Sequence, residues 1–308
     1  MKFKPALMLA SFLLAFLLFT ACEETTNTTE PNPTVAGPDS MKATSKNETT
    51  VSLRWKLSPD ESKTYFKDYV LYISPGAFAP RVIPKGTNTI DITGLSDGTI
   101  YTFELRARNI DDKESVKSAK IQWSPAFRFT KNINDEPIRV YETASQFGSG
   151  LQLFDPNSGK PRTLKVASGE FWNLGLYTKS GELSFYTANY IADKNLYNFP
   201  TKPSYTTEIS EDIFLTNSLD NVYDSQALNA RNFSKNYYID LTDTDFKNGV
   251  VIIVRTKAPG QTDWNYAKVL IKPGSTGGLL QGTPDNRYIE CEISFQKKVG
   301  VPYAKPIN

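Results

Sequence analysis

Between Asp240 and Gly249 the stretch DLTDTDFKNG places Asp240, Asp243 and Asp245 closely enough to suggest oxygen ligation of a calcium ion. A loop of the EF-hand type wants Asp or Asn at its fifth place, where Lys247 stands, so the stretch reads as a solvated turn. PGSTGG, from Pro273 to Gly278, is glycine-rich but lacks the Gly-Lys-Ser/Thr that would hold a phosphate, and reads as a loop. The carboxylates of DDKE (Asp111 to Glu114) and SEDI (Ser210 to Ile213) read as a hairpin tip and a solvated face. The chain has no histidine, which removes Ser-His-Asp and Cys-His catalysis, the usual general base and the commonest metal ligand. A carboxylate-only hydrolase would need an acidic pair within about 5 to 10 Å in a cleft, and no motif points to one. The expectation is a protein that binds rather than catalyses.

The elements that would position such a protein begin with its export. Lys2 and Lys4, the apolar run Ala6 to Phe19 and the small exit Thr20-Ala21 make a secretory signal over residues 1–21. The run is shorter than the roughly 20 residues a membrane helix needs. With Cys22 directly after Ala21, the stretch resembles the lipobox of bacterial lipoproteins. That resemblance implies cleavage before Cys22, a lipid on its sulfur, and anchorage to the outer membrane or cell surface; the plainer alternative is a secreted protein with unmodified Cys22. Without Lys2 and Lys4, 33 basic residues face 33 acidic ones, so there is no electrostatic case for nucleic acid. Cys291 then has no partner for a disulfide, and in YIECEISF it alternates with Ile289, Ile293 and Phe295 as a buried strand residue.

Residues 22–33 are Thr, Asn, Glu and Pro around the cysteine, a flexible tether. From residue 34 to 125, short alternating runs between turn residues predict a β-sandwich. VSLRW puts Val51, Leu53 and Trp55 on one face, YVLYI and TIDITGL follow, and IYTFELRAR points Tyr101, Phe103, Leu105 and Ala107 one way. Trp55, the run Leu95-x-x-Gly98-x-x-Tyr101-x-Phe103-x-Leu105-x-Ala107 and a closing SVKSAKIQW resemble a fibronectin type III domain. The resemblance implies a tyrosine corner at Tyr101 and a spacer or docking role; the loop NIDDKESV lacks an Arg-Gly-Asp adhesion motif.

Residues 126–308 are again strand-rich, in LSFYT, YYIDL, GVVIIVRT, YAKVLIK and RYIECEISFQKK, which predicts a second, larger all-β domain. The stretch from Gly249 to Lys298 is similar to the C-terminal end of HmuY-type lipoproteins, and Trp172, Leu174 and Gly175 match that family's Trp-Asp-Leu-Gly segment, with Asn173 in place of the Asp. The resemblance implies haem capture at the cell surface. Its His or Met ligands have no counterpart, since histidine is absent and Met41 is the only methionine after the signal. Phenolate can hold ferric haem, which leaves Tyr190, Tyr197, Tyr205 and Tyr223 as candidate ligand-binding residues. The expected function is therefore a lipid-anchored envelope protein that captures haem or another small ligand. The alternative is adhesion or assembly through a protein or polysaccharide, with Trp264 and Tyr266 in QTDWNYAK as the contact.

Overall fold

The computed structural model describes residues 31–179, 181–196 and 205–307, and it is all-β. Cys22 and Tyr197 lie outside the described residues. In the N-terminal part the strands are β1 Asp39–Asn47, β2 Thr50–Lys56, β3 Phe66–Ser74, β4 Arg81–Pro84, β5 Thr89–Ile92, β6 Tyr101–Asn109 and β7 Ala119–Trp123. They form two antiparallel sheets, β1-β2-β5 and β4-β3-β6-β7, whose alternating inward residues, Val51, Leu53, Trp55, Phe103 and Leu105 among them, make one core. The tyrosine corner is present: the Ser96 N–H donates to Tyr101 Oη at 3.0 Å. The hairpin tip DDKE is not merely solvated. Asp111 accepts from the Asn32 backbone and side chain at 2.8 and 2.9 Å, Asp112 pairs with Lys67 and Arg108, and Glu114 accepts from Tyr72.

The second part continues with β8 Phe127–Phe129, β9 Ile138–Tyr141, β10 Gly150–Asp155, β11 Lys160–Leu164, β12 Leu174–Tyr177 and β13 Ser184–Thr187, followed by the short helix α1 Ala188–Asp193. Then come β14 Thr206–Phe214, β15 Phe233–Ser234, β16 Ile239–Asp240, β17 Val250–Lys257, β18 Asn265–Lys272, β19 Tyr288–Phe295 and β20 Ala304–Lys305. One sheet runs β11-β10-β12-β13-β16; the other runs β15-β14-β17-β18-β19-β8, with β9 also paired to β19. Leu151, Leu174 and Phe185 from the first meet Ile252, Val269 and Cys291 from the second in a second sandwich core. Cys291 is free and buried as expected, and burial pushes its thiol pKa up. The Asp240 to Gly249 stretch is a turn running into a 3-10 helix at Thr244–Asn248.

The two sandwiches are not beads on a string. Along β17, Val250, Ile252 and Val254 enter the second core, while Ile253, on the opposite face, enters the first. Its neighbour β18 does the same with Ala267 and Val269 on one side and Tyr266 on the other. A sheet covered on both faces needs continuous apolar strands, and this explains GVVIIV. The chain returns at its end to add β20 to β7, so that Tyr303 packs at 5.9 Å from Trp123 inside the first core. Residues from Asn32 onward form one compact unit, so the fibronectin-like sandwich is not a free-standing spacer.

A polar seam lines this contact. Gln296 Nε2 donates to Ser124 Oγ at 3.0 Å and to the Pro125 carbonyl at 2.8 Å, and Ala43 and Asp224 exchange both backbone hydrogen bonds. Lys268, fully buried, reaches the Val222 carbonyl at 3.3 Å with its ammonium 4.8 Å from the Trp123 ring. Asp224 is bonded to Arg231, which also holds Asp212.

Burial, only partly offset by Asp224, lowers the Lys268 pKa from 10.5 to about 8. Between those values the unfolded chain binds the proton that the folded chain has lost, so the penalty for burying the charge is complete below about pH 8 and is relieved as pH rises toward 10.5. In thermal melts compared pairwise, wild type should therefore gain stability relative to Lys268→Met across that window. Parallel pH profiles would contradict this account of the seam.

Candidate functional site

A cleft opens at one end of the second sandwich, where β10, β17 and β19 end and β12, β14 and β18 begin. Its volume is about 180 Å³, and its lining includes Phe154, Phe171, Tyr205, Phe295, Lys257 and Lys297. Phe154 and Phe295 stack at 5.2 Å with their planes 12° apart, and Phe171 and Tyr205 stack at 3.4 Å and 18°. Two flat aromatic pairs thus wall one small space.

Asn173 fixes this end of the sandwich. Its Oδ1 accepts from the Leu153 N–H at 2.9 Å, and its Nδ2 donates to Thr207 Oγ1 at 3.2 Å and Thr256 Oγ1 at 2.8 Å. One buried amide therefore ties β10, β12, β14 and β17 together. The neighbouring Trp172 lies across Gly150 and Gly175, which face each other in the β10–β12 register. A Cβ on either glycine would come 2.7 Å from the indole, so the close approach requires both.

The polar groups of the cleft divide into spent and unspent. Asn265 donates to the Gln296 and Lys297 carbonyls at 3.1 and 3.0 Å and accepts from Gln261 at 3.1 Å. The two ammonium groups are different. Lys257 Nζ stands 4.6 Å from the Trp264 ring and Lys297 Nζ 3.4 Å from the Phe127 ring and 5.1 Å from Phe154, and neither has a carboxylate partner among the described residues. Among the described residues no acidic side chain lines the cleft. Two cations beside aromatic walls suit an anion carried on a flat apolar body. A cavity of about 150 Å³ takes a benzene ring, so the volume here suits one substituted ring.

The described candidate tyrosines, Tyr190, Tyr205 and Tyr223, are not brought together. Tyr205 lines the cleft. Tyr190 sits on α1, stacked on Tyr186 at 4.6 Å in the cluster around Trp172. Tyr223 belongs to the seam, with its hydroxyl 2.7 Å from Ser52 Oγ and Arg54 lying 4.2 Å over its ring. The cleft that Tyr205 lines has room for a single ring, and neither Tyr190 nor Tyr223 lines it. Tyr266 is buried in the first core and cannot be a surface contact, while Trp264 is half-buried against Arg255 and Lys257. No motif in the sequence marks Phe154, Phe171, Lys257 or Lys297 as a site residue, and the alternation around Cys291 marks Phe295 only as a buried strand residue. Their common signal, an aromatic or lysine at a strand end beside a turn, is too frequent to mark a site. Among the described residues no group of His, Cys, Asp and Glu is placed to hold a metal ion, and no helix is long and apolar enough to cross a membrane.

Residues 36–122 match the fibronectin type III domain family, and they form that domain here. Such domains are typically binding or scaffold modules. The FN5 domain of Drosophila Lar is 21% identical, covering 30% of this chain and 96% of its own, with a TM-score of 0.25. An FN3 domain of human collagen XX is 13% identical, covering 30% of this chain and 98% of its own, with a TM-score of 0.23. A two-domain fibronectin type III segment of chicken tenascin is 14% identical, covering 77% of this chain and 92% of its own, with a TM-score of 0.25. No curated protein matches the chain.

Asn173→Ala leaves the Leu153 N–H buried without its acceptor and two threonine hydroxyls without their donor. The expected loss is about 1 to 3 kcal/mol in urea unfolding.

Proposed function

We propose that this chain is an exported binding protein of the bacterial cell envelope, without enzymatic activity, that captures a small planar anion in the cleft beside Tyr205. The observation that carries the reading is the pair of ammonium groups, Lys257 and Lys297, set against aromatic walls with no carboxylate among the described residues of the lining. The flat walls would hold an aromatic ring, and the lysines would fix a carboxylate or phosphate substituent by charge-assisted hydrogen bonds. The likeness of residues 249–298 to HmuY-type lipoproteins supports small-ligand capture, with a smaller ligand than haem. The lipobox-like stretch supports anchorage through a lipid on Cys22.

Isothermal titration with benzoate, 4-hydroxybenzoate and phenyl phosphate tests the site, with benzamide as the uncharged control. Saturable binding of an anion is expected, with benzamide silent and affinity falling as salt is raised. Lys257→Met and Lys297→Met should each weaken binding about tenfold, the effect of losing roughly 1.4 kcal/mol of charged hydrogen bonding. No saturable heat from any anion, or equal binding of benzamide, would end this reading. For the anchor, Cys22→Ser is expected to move the protein from the membrane to the soluble fraction on cell fractionation, and retention of the variant in the membrane would contradict it.

A further inference from the structure

A second cleft, of about 390 Å³, lies at the opposite end of the same sandwich, between β9, the end of β11 and the loop before β10. That volume falls in the range of about 300 to 1,000 Å³ usual for small-molecule sites. Its lining includes Asn134, Glu136, Arg139, Tyr141, Phe147 and Thr163.

The aromatic part is a row. Phe147 leaves 48% of its surface in solvent, stands 4.7 Å from Tyr141, and Tyr141 stands 5.3 Å from Tyr288. An exposed phenylalanine is held there by its loop. The Phe147 N–H donates to Ser145 Oγ at 3.2 Å, that oxygen is 3.1 Å from Asn286 Oδ1, and the Tyr141 N–H donates to the Gly148 carbonyl at 2.8 Å. A Cβ at Gly148 would meet the Leu164 backbone at 2.4 Å, so the loop closes tightly onto β11.

The polar part is equally fixed. Asn132 Oδ1 accepts from the N–H groups of Asn134 and Glu136 at 2.8 and 3.2 Å, a turn that presents both side chains. Arg139 is braced by Glu290 at 3.2 Å and lies 4.5 Å over the Tyr288 ring. Thr163 Oγ1 is buried and has no hydrogen-bond partner among the described residues, an unmet demand on the cleft wall. Amide, carboxylate, guanidinium and hydroxyl groups together supply both donors and acceptors. Unlike the lysine cleft, the lining here holds one carboxylate and one guanidinium, which asks for an uncharged ligand.

We propose that this cleft is a binding site for a neutral sugar unit of a glycan, its apolar ring face laid on Phe147 and Tyr141 and its hydroxyls met by Asn134, Glu136, Arg139 and Thr163. A rigid body with one apolar face and a rim of hydroxyls matches a rigid aromatic row with a mixed donor and acceptor rim. The site is separate from the anion cleft and does not depend on it.

Affinity electrophoresis of the full chain through gels containing starch, xylan, mannan or β-glucan tests the proposal. Retardation by at least one of these is expected, abolished by Phe147→Ala and weakened about two- to tenfold by Thr163→Val, the range for losing one neutral hydrogen bond. Phe147 is exposed, so its truncation leaves the fold intact. Lys257→Met should run as wild type, which separates this site from the other cleft. Normal mobility in all four gels, or retardation untouched by Phe147→Ala, would overturn the proposal.

Discussion

The structure depends on one sheet being buried on both faces. β17 and β18 send alternate residues into two different hydrophobic cores, and this commits the fibronectin type III sandwich and the larger sandwich to a single compact unit. The first core takes side chains from the second part of the chain: Ile253, Tyr266 and Tyr303 complete it. Separation would expose those large apolar groups together with a buried ammonium at Lys268, so the sandwiches hold one another in place. The Gln296, Ala43 and Asp224 hydrogen bonds satisfy the polar backbone that such a contact traps.

That mutual bracing bears on function. A cleft built at strand ends is only as well shaped as the strands are fixed: one cleft draws on the ends of β10 and β19, in the two facing sheets of the larger sandwich, and the other on β9, β11 and the loop before β10. Asn173 pins one end through three strands' worth of hydrogen bonds, and the Ser145 to Asn286 contact pins the loop at the other. Between them lies a packed core with Ile252, Val269 and Ile293, which keeps the clefts independent of one another.

Much of the fold was legible in the sequence because it follows from local pattern. The alternation from Tyr101 to Ala107, the turn Ser96-Asp97-Gly98 and the spacing to Tyr101 specify the first sandwich without long-range information. The continuous run Val250 to Val254 carried the signal of a sheet covered on both faces, but a buried strand reads the same whatever covers it. Tyr223 illustrates the limit: nothing local distinguishes a tyrosine that binds a ligand from one that hydrogen-bonds Ser52, 171 residues away. Lys268 sits in YAKVLIK like any outward-facing lysine, and its neighbours Trp123, Val222 and Tyr303 are all distant in sequence. The clefts were the least legible part, because their walls come from strand ends scattered between Asn132 and Lys297.

The absence of histidine gains meaning once the two clefts are compared. On the two proposed readings each would recognise its ligand without imidazole: by ammonium, guanidinium and carboxylate groups, amides, hydroxyls and aromatic faces. On the proposed reading, the lysine-lined cleft would answer to ionic strength, because its ammonium groups meet the anion by charge, while the aromatic walls of both clefts act by shape and are indifferent to salt.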